Sequence, residues 1–169
     1  MFKDAIGRER QLATCQLDFN QPQRFDLSFV NEQGEKERPV VIHRAIMGSF
    51  ERFIGVMIEH FAGAFPLWLA PTQIMFVPVA EKFVDYCHEL KTACIKHNLR
   101  AKIDTSDDSF SKKIRNAELD KIPYIVIIGE EEVNAKTVSV RVYKTKEQMT
   151  MDAEDFIADR VKEYLQRSL

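Results

Sequence analysis

Apolar and polar positions follow two different rhythms along this chain. In the first third, "TCQLDF" and "RPVVIH" read as short strands, with the polar "FVNEQGEKER" as the loop between them. From Phe50 the apolar residues fall at 50, 53, 54, 57, 58 and 61, the stripe of an amphipathic helix. Ser49 stands where an N-cap would, and Gly48 turns the chain out of the preceding strand. The stripe through Phe50, Phe53, Met57 and Phe61 is expected to be core.

The rhythm changes at "FPLWLAPTQ", residues 65–73, where Pro66 and Pro71 punctuate a short aromatic stretch. This seam divides the chain into 1–71 and 72–169, and Trp68 is expected to pack between the two parts. Beyond it "IMFVPV" is a strand, and Phe83, Val84, Cys87, Leu90 and Cys94 mark a helix that Asn98 closes in the left-handed conformation. "LRAKID" is a second strand, and Asp107 or Asp108 caps a helix carrying Phe110, Ile114 and Ala117. The almost wholly apolar "PYIVIIG" suits a central strand covered on both faces. "TVSVRVY" alternates strictly, with Val138, Val140 and Val142 on one face and Ser139, Arg141 and Tyr143 on the other. A last helix from about Asp152 buries Ile157, Val161 and Tyr164. The order predicts an α/β unit with a mainly parallel, mixed five-stranded sheet flanked by helices.

Composition adds limits. Hydrophobic residues make up 45% and charged residues 30% of 169, the balance of a globular chain with a core. The net charge is −2, and neither part has a basic excess: 8 Lys/Arg against 9 Asp/Glu up to residue 71, and 16 against 17 after it. Any RNA binding must therefore come from local patches and base contacts. No apolar run is long enough to span a bilayer, and "MFKDAIGRER" has neither the apolar stretch nor the charge pattern of a signal peptide. Three cysteines without framework spacing point to free thiols in a reducing cytoplasm.

"IHRAIMGSFERF", residues 42–53, concentrates candidate chemistry. A strand–turn–helix with Ser49 at the cap offers free backbone N–H groups to an anion, and Arg52 in the first turn adds a planar fork for phosphate. Taken alone, His43 also reads as a satisfied strand-end histidine, and Arg52 as the partner of Glu51 or Glu59 on a solvated face. One histidine is not a zinc site, which needs about three or four ligands.

The stretch "RPVVIHRAIMGSFERFIGVMIEHFAGAFPLWLAPTQ" resembles the closing part of the catalytic domain of threonyl-tRNA synthetases, a class II aminoacyl-tRNA synthetase family. "GSFERF" is similar to that class's third signature motif, and "GRERQLATCQLDFNQPQRFDLSFV" to the strand pair just before it. "KIRNAELDKIPYIVIIGEEEV" and "VSVRV" resemble the family's anticodon-binding domain. The resemblance implies that 1–71 are the end of a class II antiparallel catalytic sheet and 72–169 an anticodon-binding domain. "VVIHRAIMGS" sets the chain apart from the histidyl and prolyl enzymes, which have similar anticodon domains.

By the same resemblance His43 supplies one of three protein ligands to an active-site Zn2+, which would hold the amino and hydroxyl groups of threonine and so reject valine. Gln16 matches a residue near threonine, and Gln11 and Thr14 match ATP contacts. Ser49 and Arg52 match motif-three residues at the nucleotide, with Arg52 set against the phosphates of ATP and its Mg2+ during adenylate formation. Where the family has Trp-Gln-Cys-Gly, this chain has Arg10, Gln11, Leu12 and Ala13. Arg115, Glu132 and Arg141 match anticodon readers; Glu132 alone is also one acid among three on a solvated turn. In "DTSDDSFSKKIR" the chain has Ser106, Asp107 and Ser109 where the family loop is richer in Arg, Asn and Lys.

The resemblance implies a threonine–tRNA ligase with tRNA as partner and a homodimeric full enzyme. The class's first two motifs and the other zinc ligands precede this region in the family. The chain is thus expected to be a C-terminal piece with an exposed sheet edge, inactive in isolation. The alternative is a stand-alone RNA- or protein-binding module that kept the anticodon domain.

Overall fold

A computed structural model describes residues 2–168. The chain forms two compact units, Met1–Phe61 and Ala62–Leu169.

The first unit is built from short pieces. Strands β1 (Phe2–Lys3) and β2 (Glu9–Arg10) pair antiparallel. Strand β3 (Thr14–Asp18) leads into a one-turn helix α1 (Asn20–Arg24). The segment expected to be a plain polar loop contains a small hairpin, β4 (Phe29–Val30) with β5 (Lys36–Glu37). Its turn is chemical in origin: Asn31 Oδ1 accepts from the N–H groups of Gln33 and Glu35, and Gly34 takes φ +79°. Strand β6 (Val41–Ala45) starts later than the sequence suggests and pairs antiparallel with β3, Gln16 opposite His43. Helix α2 (Phe50–Phe61) follows, with Ser49 Oγ accepting from Arg52 N at 3.3 Å.

The apolar stripe of α2 is not core. The helix buries none of its residues, and Phe50 is 76% exposed. Leu17, Phe19, Phe25 and Ile42 are exposed as well. The amphipathic spacing is right, but this unit has no second layer to cover it.

What does hold the first unit together is polar. Asp4, buried, accepts from Arg8 Nε at 2.7 Å, Arg10 Nε at 3.2 Å and Arg8 N at 2.8 Å. Arg8 reaches on to both oxygens of Glu59 on α2 at 3.1 Å, so Glu59 is engaged by Arg8 and not by Arg52.

The second unit has an ordinary core. Its elements are β7 (Ile74–Pro78), a 3₁₀ turn at Glu81–Phe83, α3 (Val84–Lys96), β8 (Ala101–Ile103), α4 (Phe110–Leu119) and β9 (Tyr124–Ile128). Then come α5 (Glu130–Ala135), β10 (Thr137–Val142), β11 (Gln148–Asp152) and α6 (Ala153–Gln166). The five strands lie in the order β11-β10-β9-β7-β8. Pairings β7–β8 and β7–β9 are parallel, β9–β10 and β10–β11 antiparallel, so the sheet is mixed. The apolar run Tyr124–Ile128 is the middle strand, as its composition requires. Phe76, Val126, Val138 and Val140 pack against α3 and α6 on one face, while Val77 and Ile125 meet Ala117 and Ile122 on the other.

Several local expectations are met and others corrected. Asn98 closes α3 at φ +61°, and Asp152 Oδ1 caps α6 through Glu154 N at 2.8 Å. Helix α4 begins after Ser109, not after either aspartate; Asp108 binds Lys112 Nζ at 2.7 Å instead. "EEE" opens the short helix α5 rather than a turn, because three acids suit a helix N-terminus. The seam 65–73 lies in the second unit. Buried Gln73 donates to Leu67 O and accepts from Arg100 N, both at 2.7 Å, and Arg100 donates to the carbonyls of Trp68 and Ala70. Trp68 therefore sits in that unit, beside Tyr164 and Leu165, and the compact units divide at 61/62 instead of 71/72. Among the described residues no helix is long and apolar enough to cross a membrane.

The Asp4 cluster makes a pH prediction. Burial pushes its carboxyl up, but the Arg8 side chain and N–H and the Arg10 guanidinium outweigh this and hold it at about 2 against an ordinary 3.8. A depressed folded-state value means the contribution is complete above 3.8 and is lost as pH falls through about 2. A carboxyl-carbon NMR titration should therefore show Asp4 still ionised at pH 3; a midpoint at its ordinary value contradicts the cluster.

Candidate functional site

The first unit arranges its candidate residues along the β3/β6 ribbon. Because side chains alternate across a strand, Thr14, Gln16 and Asp18 share one face, and the residues opposite them, Ala45, His43 and Val41, share it too. Gln16 and His43 face each other across the pair, and both line an open hollow of about 820 Å³ with Asp18 and Arg24.

His43 Nε2 lies 2.9 Å from Asp18 Oδ2. Asp18 Oδ1 accepts from the N–H groups of Asn20 at 2.8 Å and Gln21 at 3.0 Å. The Gln21 N–H, the His43 ring and the Asn20 N–H together hold the Asp18 carboxyl below its ordinary range, against a smaller opposing effect of burial. Asp18 is a residue that the motif comparison misses. Its place two residues after Gln16 on a strand is the signal that could have found it.

At the other end of the ribbon the chain turns through Gly48, at φ +69°. A Cβ there would stand 3.1 Å from Leu12 O, so the turn lies directly against the Gln11–Thr14 segment and only glycine suits it. Gln11 and Thr14 thus come to the same end as Ser49. Gln11 is exposed, its amide 3.5 Å from Ala13 O. Arg52 is exposed in the first turn of α2 and does not line the His43 hollow. His43 thus sits in the middle of the ribbon and Arg52 on the helix that follows it, away from the His43 hollow. Among the described residues no three His, Cys, Asp or Glu side chains converge as metal ligands. His43 fits the zinc reading as a single donor, with its second ring nitrogen in no hydrogen bond among those residues.

In the second unit Arg141 stands opposite Ile125 on β9 and Gln148 on β11, on the face that α4 covers. Ser139 shares this face and accepts from Gln148 Nε2 at 3.1 Å, which makes the β10/β11 end of an otherwise apolar face polar. Arg141, its side chain 35% exposed, pairs through its guanidinium with Glu118 of α4 at 2.7 Å, and Lys146 approaches the same oxygen at 3.8 Å. The contact is ionic without the alignment of a hydrogen bond, and buried Arg141 Nε has no partner among the described residues. Glu118 has no sequence signature; it pairs with Arg141 only once α4 lies on the sheet.

Arg115 is exposed on α4, one turn before Glu118. Glu132 is engaged at the start of α5, where its Oε2 accepts from the N–H of the N-cap residue Gly129 at 2.8 Å. A hollow of about 430 Å³ opens beyond the carboxyl ends of β7 and β8, lined by Glu81, Asp104, Ser106, Asp107, Asp108 and Lys113 among others. Its acidic lining is hostile to phosphate, so a nucleic acid here would have to present base edges.

Two family models match the chain. "Anticodon binding domain" covers residues 73–163, and "tRNA synthetase class II core domain (G, H, P, S and T)" covers residues 1–61. A threonine–tRNA ligase of Thermus thermophilus is 49% identical over 99% of this chain and 25% of the relative. That of Sulfurovum sp. is 46% identical over 95% of this chain and 26% of the relative. The RNA-binding domain of threonyl-tRNA synthetase from Cryptosporidium parvum Iowa II superposes with a TM-score of 0.81 and 36% identity, over 94% of this chain and 40% of that one. The chain spans about a quarter of the length of the curated relatives it matches. With a class II core segment followed by an anticodon-binding domain, it belongs to the threonyl-tRNA synthetase family.

Proposed function

We propose that the chain works as part of a threonine–tRNA ligase, which activates threonine with ATP and transfers it to its tRNA. The second unit reads the anticodon, and the observation that carries this is Arg141. Its side chain is 35% exposed at the polar β10/β11 end of the sheet face, so its guanidinium can offer donors to a guanine edge. Arg115 and Glu132 are its proposed helpers. Glu132 would use the carboxylate oxygen that does not cap α5.

In the first unit His43 would give Zn2+ one ligand and Gln16 would stand beside threonine. Gln11, Thr14, Ser49 and Arg52 would serve ATP and its Mg2+. The metal would supply electrophilic recognition of the substrate amino and hydroxyl groups, and its remaining ligands would come from outside this chain. The exposed apolar residues of α2, β3 and β6 support this reading, since they are the surface that the rest of a class II core would cover. The unpaired state of Cys15, Cys87 and Cys94 fits a reducing cytoplasm.

One feature favours a second reading, a stand-alone binding module: both hydrophobic clusters lie in the second unit. Two measurements separate the readings. Arg141→Ala should weaken binding to a threonine-tRNA anticodon stem-loop by roughly 1–3 kcal/mol, more for the matched loop than for one with the guanine replaced. Equal affinity before and after substitution removes Arg141 from the interface. Threonine-dependent ATP–pyrophosphate exchange should be undetectable with this chain alone, which supplies a single zinc donor. Measurable exchange would show that the catalytic site is complete without further protein.

A further inference from the structure

Asp18 occupies a position that the proposed roles do not use. It stands diagonally across the ribbon from His43: Asp18 is opposite Val41, and His43 is opposite Gln16. Diagonal neighbours on one face lie within reach of each other's longer side chains. The aspartate is fixed from its own side, since Oδ1 receives two backbone N–H groups at the start of α1. That leaves Oδ2 aimed at the imidazole, 2.9 Å from Nε2.

The chemistry of the pair determines where the ring proton sits. An ionised carboxylate only accepts, so in the neutral ring Nε2 must be the N–H and Nδ1 must carry the lone pair. Nδ1 makes no hydrogen bond among the described residues, and the ring lines the hollow that Gln16 also lines. We infer that Asp18 is a positioning residue that locks His43 as the Nε2–H tautomer and presents Nδ1 as the donor to an electrophile in that hollow. The occupant rests on the zinc reading above; the tautomer does not. If the occupant is zinc, this is the arrangement in which a carboxylate orients a ligating imidazole and raises its basicity, and losing it costs about 10–100-fold in metal affinity.

The test uses the whole chain, labelled with ¹⁵N, in mildly alkaline buffer. Long-range ¹H–¹⁵N spectra of the imidazoles report which nitrogen is protonated, and a His43→Gln spectrum identifies the signals among four histidines. The Nε2–H form should exceed the other by roughly tenfold or more, as a hydrogen bond to a charged acceptor implies. Asp18→Asn keeps an oxygen to cap α1 but turns an NH2 group toward Nε2. Nε2 must then accept, and the ring proton should move to Nδ1. An Nδ1–H or evenly mixed ring in the unsubstituted protein overturns the inference without recourse to any variant. So does a tautomer unchanged by Asp18→Asn in a protein whose circular dichroism is preserved. Neither outcome involves metal or activity, so the zinc reading stands or falls separately.

Discussion

The register of β3 against β6 governs what the first unit can present. Placing Gln16 opposite His43 brings Thr14, Gln16, Asp18 and the imidazole to one side of a two-stranded ribbon. A shift of one residue would put the imidazole on the opposite side from Thr14, Gln16 and Asp18, because the side-chain period of a strand is two. Nothing apolar enforces this register: β3 and β6 have no buried residues. The constraints are polar and local instead, namely the Asp18–His43 contact, the capping of α1 by the same carboxylate, and Gly48 against Leu12 O. The ion pairs around buried Asp4 tie β1, β2 and α2 together.

The second unit solves the opposite problem. Its sheet is covered on both faces, by α3 and α6 on one and α4 on the other, so its geometry is fixed by burial. Polar side chains on that sheet gather where the coverage ends. Arg141 sits at this boundary, near enough to α4 to pair with Glu118 and still 35% exposed along its side chain. Its one buried nitrogen without a partner among the described residues, Nε, is a cost to the fold.

Much of this was legible in the sequence, and the reasons are local. Tyr124–Ile128 reads as a middle strand because nothing in it is polar enough for an edge, and Ser49, Asn98 and Asp152 signal helix ends through their own backbone chemistry. What stayed illegible is tertiary. The roles of Asp18 and Glu118 exist only after separate elements meet. The α2 stripe misled for a related reason: periodicity reports which face seeks cover, not whether cover is present. "EEE" and the β4/β5 hairpin were missed because elements this short depend on a few hydrogen bonds, Glu132 to Gly129 N and Asn31 to its turn.

Everything assigned to the first unit presumes one alignment of two strands, and cross-strand proton–proton contacts measure that alignment directly. In NOE spectra of the ¹³C,¹⁵N-labelled chain, the backbone protons of Gln16 should contact those of His43, with Thr14 and Ala45 paired two residues further along the ribbon. Contacts placing His43 opposite Cys15 or Leu17 would put the imidazole on the other face from Gln16 and contradict the account.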